Sequence, residues 1–372
     1  MKGIIRLIFA AMLSTISLNI YAQSQDNYNV IEEWLKYSNA QNSLYDYLLE
    51  QSVDLLKCRK ADVQKITSLS EWQSRQKQIK KIFIDAIGSF PYRTPLNSKV
   101  VNTIEKDFYT VENILFESQP KFYVTSSLFI PKSYKTGDRF PVIIFTSGHT
   151  NSAYRATEYQ QTILNLVRKN FIVFAFDPIG QGERLQYYND KTSNSRLGRP
   201  GTAEHTYLAP QTFITGNSSA KYWIWDGIRS VDYLLTREEI DPQRIGIYGR
   251  SGGGFQSAYI PVFEERIYAS APENHLTSYI QRMESFGPMD GEQNIIGMFK
   301  IGIDHPDFLV VRAPKPSLMI CTTNDLFNIH GSRQTAKEIS AAYKAYDKNE
   351  NFDIIEDFGG HEMTMKNRER MY

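Results

Sequence analysis

The chain has 372 residues, 41% hydrophobic, 13% aromatic and 22% charged, with a formal net charge of +1. That composition excludes a disordered, collagen-like or coiled-coil chain, and the length suffices for one large core or two smaller ones. Two cysteines, Cys58 and Cys321, cannot build a disulfide framework or a cysteine-rich zinc site, and the balanced charge gives no sequence-wide case for a nucleic-acid partner.

Residues 1–22 read as a secretory signal peptide. Lys2 and Arg6 make a positive start, an apolar stretch runs from Leu7 to Leu18, and Tyr21-Ala22 precedes Gln23. The stretch is short for a transmembrane helix and no second hydrophobic span follows it. The expectation is a secreted or periplasmic protein without a membrane span.

Residues 23–98 read as a helical N-terminal extension packed on the core. Tyr45, Leu48, Leu49, Val53 and Leu56 share one helix face. Ser68 with Glu71, or Ser70 with Gln73, offers a capping box for a second helix. Trp72, Ile79, Ile82, Phe83, Ala86 and Ile87 form its apolar stripe, and Gly88 and Pro91 stop it.

From residue 99 to 372 the texture is that of an α/β domain. Strands are expected at 111–117, 122–131, 141–145, 171–176, 244–248, 267–271, 317–321 and 352–355, from their β-branched and aromatic content. Helices are expected at 159–169 and 223–235, with a turn at Asp241-Pro242. Short apolar runs alternating with helices predict a mostly parallel central sheet covered on both faces. Residues 183–220 read as a long surface excursion. Residues 275–310, with Tyr279, Met283, Phe286 and Met289, suit a lid or cleft insertion, or else a packed subdomain.

Gly249-Arg250-Ser251-Gly252-Gly253-Gly254 follows a predicted buried strand and precedes a predicted helix. That is the context of a nucleophile elbow, where a tight turn lifts a serine out of the sheet and its neighbours must lack bulk. No Lys-Ser or Lys-Thr pair follows the glycines, so a phosphate-binding loop fits poorly. His361, in Phe358-Gly359-Gly360-His361-Glu362, follows the last predicted strand, where a general base belongs. Asp325 follows the strand before it and is the expected orienting acid. Asp304, Asp307 and Asp353 compete, but none directly follows a strand end. The expected oxyanion donors are the backbone N–H groups of Gly252 and His149.

At these residues the chain resembles the secreted acetyl xylan esterase-type serine hydrolases of the α/β-hydrolase superfamily, relatives of the cephalosporin C deacetylases. The resemblance spans roughly residues 70–362. It rests on Gly180-Gln181 within Asp177 to Arg184, on the elbow Gly249 to Gly254, and on His361-Glu362. Ile179 stands where that family has arginine, and Gly252 where it has glutamine. The nearer likeness is to a related branch with Ser147-Gly148-His149, Gly287-Pro-Met-Asp-Gly-Glu-Gln293 and a helical leader ending in Thr94-Pro95-Leu96-Asn97.

The resemblance implies an α/β-hydrolase fold and a serine esterase acting on acylated carbohydrate, most simply on O-acetyl groups of a plant polysaccharide. A peptidase of the prolyl-oligopeptidase type, a glucuronoyl-type esterase, and a non-catalytic glycan-binding protein on a hydrolase scaffold are the alternatives. No cofactor and no metal are expected. Asp304-His305-Pro306-Asp307 is weak as a metal motif. Glu183 and Arg184 could pair with each other under the site, and Trp223 and Trp225 suit helix packing better than sugar stacking.

Overall fold

In the computed structural model, residues 42–133, 135, 137–198 and 201–372 are described; the expected signal peptide lies outside them. Residues 1–50 and 51–372 are two compact units. Of the first, only the start of helix α1 (Ser43–Val63) is described. Among the described residues no helix is long and apolar enough to cross a membrane.

Helix α2 (Leu69–Ile87) starts at Ser68 with the reciprocal cap expected there: the Ser68 hydroxyl accepts from Glu71 N–H, and the Glu71 carboxylate accepts from Ser68 N–H. Its buried face is Trp72, Gln76, Ile79, Phe83 and Ile87. Phe83 packs on Phe308 with centroids 4.7 Å apart, and the Gln76 amide donates to the carbonyls of Val310 and Ala313 at 2.7 and 2.8 Å.

The strands are β1 (Lys99–Glu105), β2 (Tyr109–Gln119), β3 (Phe122–Pro131), β4 (Phe140–Thr146) and β5 (Ile172–Phe176), then a short β6 (Tyr188–Asn189) and β7 (Asn194–Ser195) pair. After these come β8 (Ile240–Arg250), β9 (Ala269–Glu273), β10 (Ser317–Thr322) and β11 (Phe352–Asp357). Between them run α3 (Thr157–Arg168), α4 (Thr202–Ile214), α5 (Ala220–Leu234), α6 (Gly252–Phe263), α7 (Tyr279–Ser285), α8 (Asp307–Val310), α9 (Ile329–Ala345) and α10 (Met365–Met371).

Nine strands form one sheet in the order β1-β2-β3-β5-β4-β8-β9-β10-β11. The pairs from β1 to β5 through β3 are antiparallel, and the pairs from β5 to β11 are parallel. Every residue of β5 is buried, as a central strand covered on both faces requires. One face is closed by α3 through Tyr159, Ile163, Leu166 and Val167, the other by Val231, Tyr233 and Leu234 of α5 and Ile260 of α6. Each such side chain contributes about 1.5–3 kcal/mol on burial.

The chain leaves β4 toward β5 on one side and returns to β8 on the other, so the strand order reverses at β4. Loops leaving β4 and β8 then diverge, and a crevice opens at their C-terminal ends. His149 follows β4 and Ser251 follows β8.

Two expectations are corrected. Asp241-Pro242 is not a turn ahead of the strand: β8 starts at Ile240 and runs through it as a bulge, Phe140 pairing with Ile240 and Val142 with Ile245. Residues 183–220 are not a plain surface excursion, because they contain α4, whose Glu204 and His205 are buried. The sequence shows no apolar stripe for α4, because its buried Glu204 and His205 turn inward to polar partners.

Candidate active site

Ser251 sits between β8 and α6 with φ 59° and ψ −120°. A non-glycine residue adopts that left-handed backbone at a cost of about 1–3 kcal/mol, so the surroundings must impose it. Ser251 N–H donates to the Glu273 carbonyl at 2.9 Å, and Phe255 N–H donates to the Ser251 carbonyl at 2.9 Å. The glycines permit the turn by close approach. A Cβ on Gly249 would stand 2.2 Å from Thr146 Oγ1, and one on Gly253 2.0 Å from the Thr146 carbonyl oxygen.

His361 lies in the loop after β11. Its Nδ1 is 2.9 Å from both Asp325 oxygens, so the carboxylate straddles the ring N–H. The Asp325 side chain is 1% exposed and the His361 side chain 28%, which leaves the imidazole open to the cleft while its partner is shielded. Phe327 N–H also donates to Asp325 at 2.9 Å. The loop is tied by its backbone: Arg250 Nη1 donates to the His361 carbonyl at 2.6 Å, and Asn274 Nδ2 to that of Glu362 at 3.0 Å.

Ser251, His361 and His149 line one cleft of about 280 Å³. Arg250, Tyr159, Thr202, Leu326 and Phe327 complete its walls, with Arg282, Phe286 and Asp290 from the 275–310 segment. A second hollow of about 300 Å³ runs along β8, β9 and β10, and its lining includes none of the three. Gly252 opens α6, so its N–H is among the first-turn donors that have no partner within the helix. The loop carrying His149 is clasped by Gln181, whose amide nitrogen donates to the carbonyls of Gly148 and Thr150 at 2.8 and 3.0 Å. Gly148 N–H donates to the Tyr159 hydroxyl at 3.0 Å.

Beneath the elbow, burial raises the Glu273 carboxyl to about 7, although Tyr248 Oη donates to it at 2.5 Å. Beside the cleft, His149 Nε2 meets Glu292 Oε1 at 2.8 Å. Burial opposes charge on Glu292, but His205 and His149 outweigh it and hold the carboxyl well below the usual range.

Other residues singled out from the sequence stand elsewhere. Arg184 pairs with Asp226 at 2.7 Å and Glu183 reaches Arg155 at 3.4 Å, so the two do not pair with each other. Trp223 and Trp225 are buried, and Trp225 Nε1 donates to the Ser118 carbonyl at 2.8 Å. Asp307 pairs with Arg59 and Arg75 at 2.8 and 3.0 Å, and Asp304 accepts the N–H of Tyr279 and of His305 at 3.0 and 2.7 Å. Neither aspartate is near His361 in these pairings. Arg250, Gln181, His205 and Glu292 were not expected at the site. Gln181, Glu292 and Arg250 lie in Gly180-Gln181, the 287–293 run and the elbow, which the resemblance had marked; His205 lies in no marked run.

No protein-family model matches the chain. It is 22% identical over 308 residues to "Putative hydrolase YtaP" of Bacillus subtilis (strain 168), covering 77% of this chain and 93% of that one. Among solved structures it is similar to Methylesterase BT1017, at TM-score 0.64 and 21% identity over 86% of this chain; the match spans 66% of that protein. A Bacteroides fragilis structure described as a putative acetyl xylan esterase gives TM-score 0.64 and 18% identity over 78% of this chain and 76% of that one. A glucuronoyl esterase from Solibacter usitatus gives TM-score 0.58 and 15% identity over 82% and 92%. The fold is that of the α/β-hydrolases, and these structural neighbours are esterases.

Proposed function

We propose that the protein is a carboxylic ester hydrolase acting on esterified carbohydrate through Ser251, His361 and Asp325. The observation that carries this reading is that His361, backed by the shielded Asp325, and a serine with left-handed backbone line one cleft at the C-terminal edge of the sheet. The esterase neighbours support it at the level of the fold.

In this reading Ser251 Oγ attacks the ester carbonyl carbon while His361 Nε2 takes the hydroxyl proton. Asp325 holds the N–H at Nδ1, which fixes the tautomer and stabilises the imidazolium. Negative charge developing on the carbonyl oxygen is met by the N–H groups of Gly252 and His149. His361 then returns the proton to the leaving alkoxide as the C–O bond breaks. Water attacks the acyl-enzyme by the same route and releases the acid and free Ser251.

The substrate reading is an O-acetylated plant polysaccharide or oligosaccharide. A uronate methyl or glucuronoyl ester is the second reading, favoured by the neighbours that are a methylesterase and glucuronoyl esterases. Purified protein supplied with acetylated xylan, methyl-esterified pectin and a methyl glucuronate separates them. Acetate release supports the first reading and methanol release the second. A fluorophosphonate probe should label wild type and leave Ser251→Ala unlabelled. If Ser251→Ala of native melting temperature is labelled or keeps more than a few percent of the activity, the reading fails.

A further inference from the structure

We infer that His149, His205 and Glu292 form a site for one divalent transition-metal ion of the zinc type, beside the cleft and separate from the Ser251–His361–Asp325 group. His149 Nε2 lies 3.2 Å from His205 Nδ1 and 2.8 Å from Glu292 Oε1, and His205 Nδ1 lies 3.1 Å from Glu292 Oε2. The side chains of His205 and Glu292 are each 1% exposed, so water does not solvate them from outside.

The outward hydrogen bond of the His205 ring tells what faces inward. His205 Nε2 is 2.7 Å from the Ile179 carbonyl oxygen, which can only accept, so that nitrogen carries hydrogen. Nδ1 then presents a lone pair toward Glu292 Oε2, a buried acceptor that makes no hydrogen bond. Across the other ring, Asp290 Oδ2 stands 3.6 Å from His149 Nδ1, beyond hydrogen-bond reach, while His149 Nε2 is 2.8 Å from Glu292 Oε1. The His205 lone pair, His149 Nε2 and the Glu292 carboxylate therefore meet in one buried cluster. With hydrogen on His149 Nε2 that proton holds the cluster together; with the hydrogen on Nδ1 every inward atom is an acceptor, and a metal ion can take the proton's place.

Two features favour the metal. The two ring nitrogens are 3.2 Å apart and lie 2.8 and 3.1 Å from Glu292 Oε1 and Oε2 respectively, close to the ~3.3 Å edge of a tetrahedron with metal–ligand bonds of about 2.0–2.1 Å. The surroundings also match what ligating side chains need. His205 is backed by the Ile179 carbonyl, and Gln293 Nε2 donates to Glu292 Oε1 at 2.9 Å. Two imidazoles with one carboxylate suit zinc, cobalt or nickel, and not the all-oxygen shells of calcium and magnesium.

This set has no local spacing in the sequence: its members come from the loop after β4, from α4 and from the 287–293 run. A Cβ on Gly252 would lie 2.8 Å from His149 Nε2, so an ion here would pin the His149 ring against the start of α6. Its role is to hold the loop between β4 and α3 in place.

The test reads binding in the full chain, freed of any affinity tag and stripped with a chelator. Titration with Co²⁺ should take up one equivalent with the visible d–d absorption of a low-coordinate ion, displaced by one equivalent of Zn²⁺. Saturating Zn²⁺ should raise the melting temperature of wild type by about 3–6 °C, and Mg²⁺ should not. His205→Asn and Glu292→Gln should lose the stoichiometric uptake, whereas the exposed His330→Ala should keep it. Should those buried variants fail to fold, the wild-type titration and melting shift still decide. Absence of stoichiometric uptake by wild type, or equal uptake by folded His205→Asn and Glu292→Gln, overturns the site and leaves a proton-held cluster. Neither result bears on whether Ser251 is a nucleophile.

Discussion

The guanidinium of Arg250, the residue next to Ser251, donates to the backbone carbonyl of His361 at 2.6 Å. The same side chain pairs with Glu158 at 2.9 Å and sits 5.5 Å from the centre of the Tyr159 ring. One residue thus ties the elbow to the loop that carries the proposed base, across 111 positions of chain.

Arg250→Met should therefore loosen the His361 loop without touching the reacting groups. A displacement of about 1 Å at a catalytic group can cost about a hundredfold. The expected result is a 10- to 100-fold lower kcat with a smaller change in KM, read by steady-state hydrolysis of an aryl acetate. An unchanged kcat would show that the loop holds itself.

Asp325→Asn should lower kcat by roughly 10²–10⁴, because the imidazole loses the partner that sets its tautomer. Asp353→Asn, at an exposed carboxylate that accepts only its neighbour's Ile354 N–H, should stay near wild type. Asp307→Asn is a poor control, since it removes a buried partner of Arg59 and Arg75. It should show up instead as lost stability of about 3–5 kcal/mol in urea melts. Near-normal turnover by folded Asp325→Asn would remove it from the mechanism.

Gln181→Leu should leave Gly148 and Thr150 without their shared donor, and the N–H of His149 between them less well aimed. Losing an oxyanion donor outright costs about 10²–10³ in kcat. A misaimed one should cost about 10- to 100-fold, with the loss in kcat greater than that in KM. Kinetics matching wild type would mean that His149 is held by other contacts.

Glu273 gives the protein a pH-dependent stability of defined sign. Its folded value of about 7 lies above the ordinary 4.5, so the native state keeps a proton that the unfolded chain has released. The contribution is fully present below about pH 4.5 and is lost as pH rises through about 7, up to about 3 kcal/mol. Asp304, raised by burial to about 6, acts in the same direction. The buried His275 and His305, held neutral below their ordinary value, act in the opposite direction, so the readout is a difference: in urea melts at pH 5, 6, 7 and 8 the stability of wild type relative to Glu273→Gln should fall as pH rises. A difference that does not change with pH would mean that Glu273 is charged throughout.

What the sequence determined by itself is local or periodic. The strand segments after residue 110 were visible because buried parallel strands are continuous runs of β-branched and aromatic residues. The Ser68 cap was visible because both partners lie within one turn. Ser251 stood out because its tight turn demands glycines at adjacent positions. Asp325 and His361 could be nominated because chain order assigns them to consecutive strand ends, but their 2.9 Å contact depends on β10 and β11 pairing in parallel register from Ser317↔Phe352 onward. Only the tertiary structure decided that Arg184 turns to Asp226, that α4 buries His205, and that His149, His205 and Glu292 meet. Such polar contacts join residues 42 to 143 positions apart. No sequence periodicity records them, because what selects each partner is a buried charge or lone pair left unsatisfied once the core has closed.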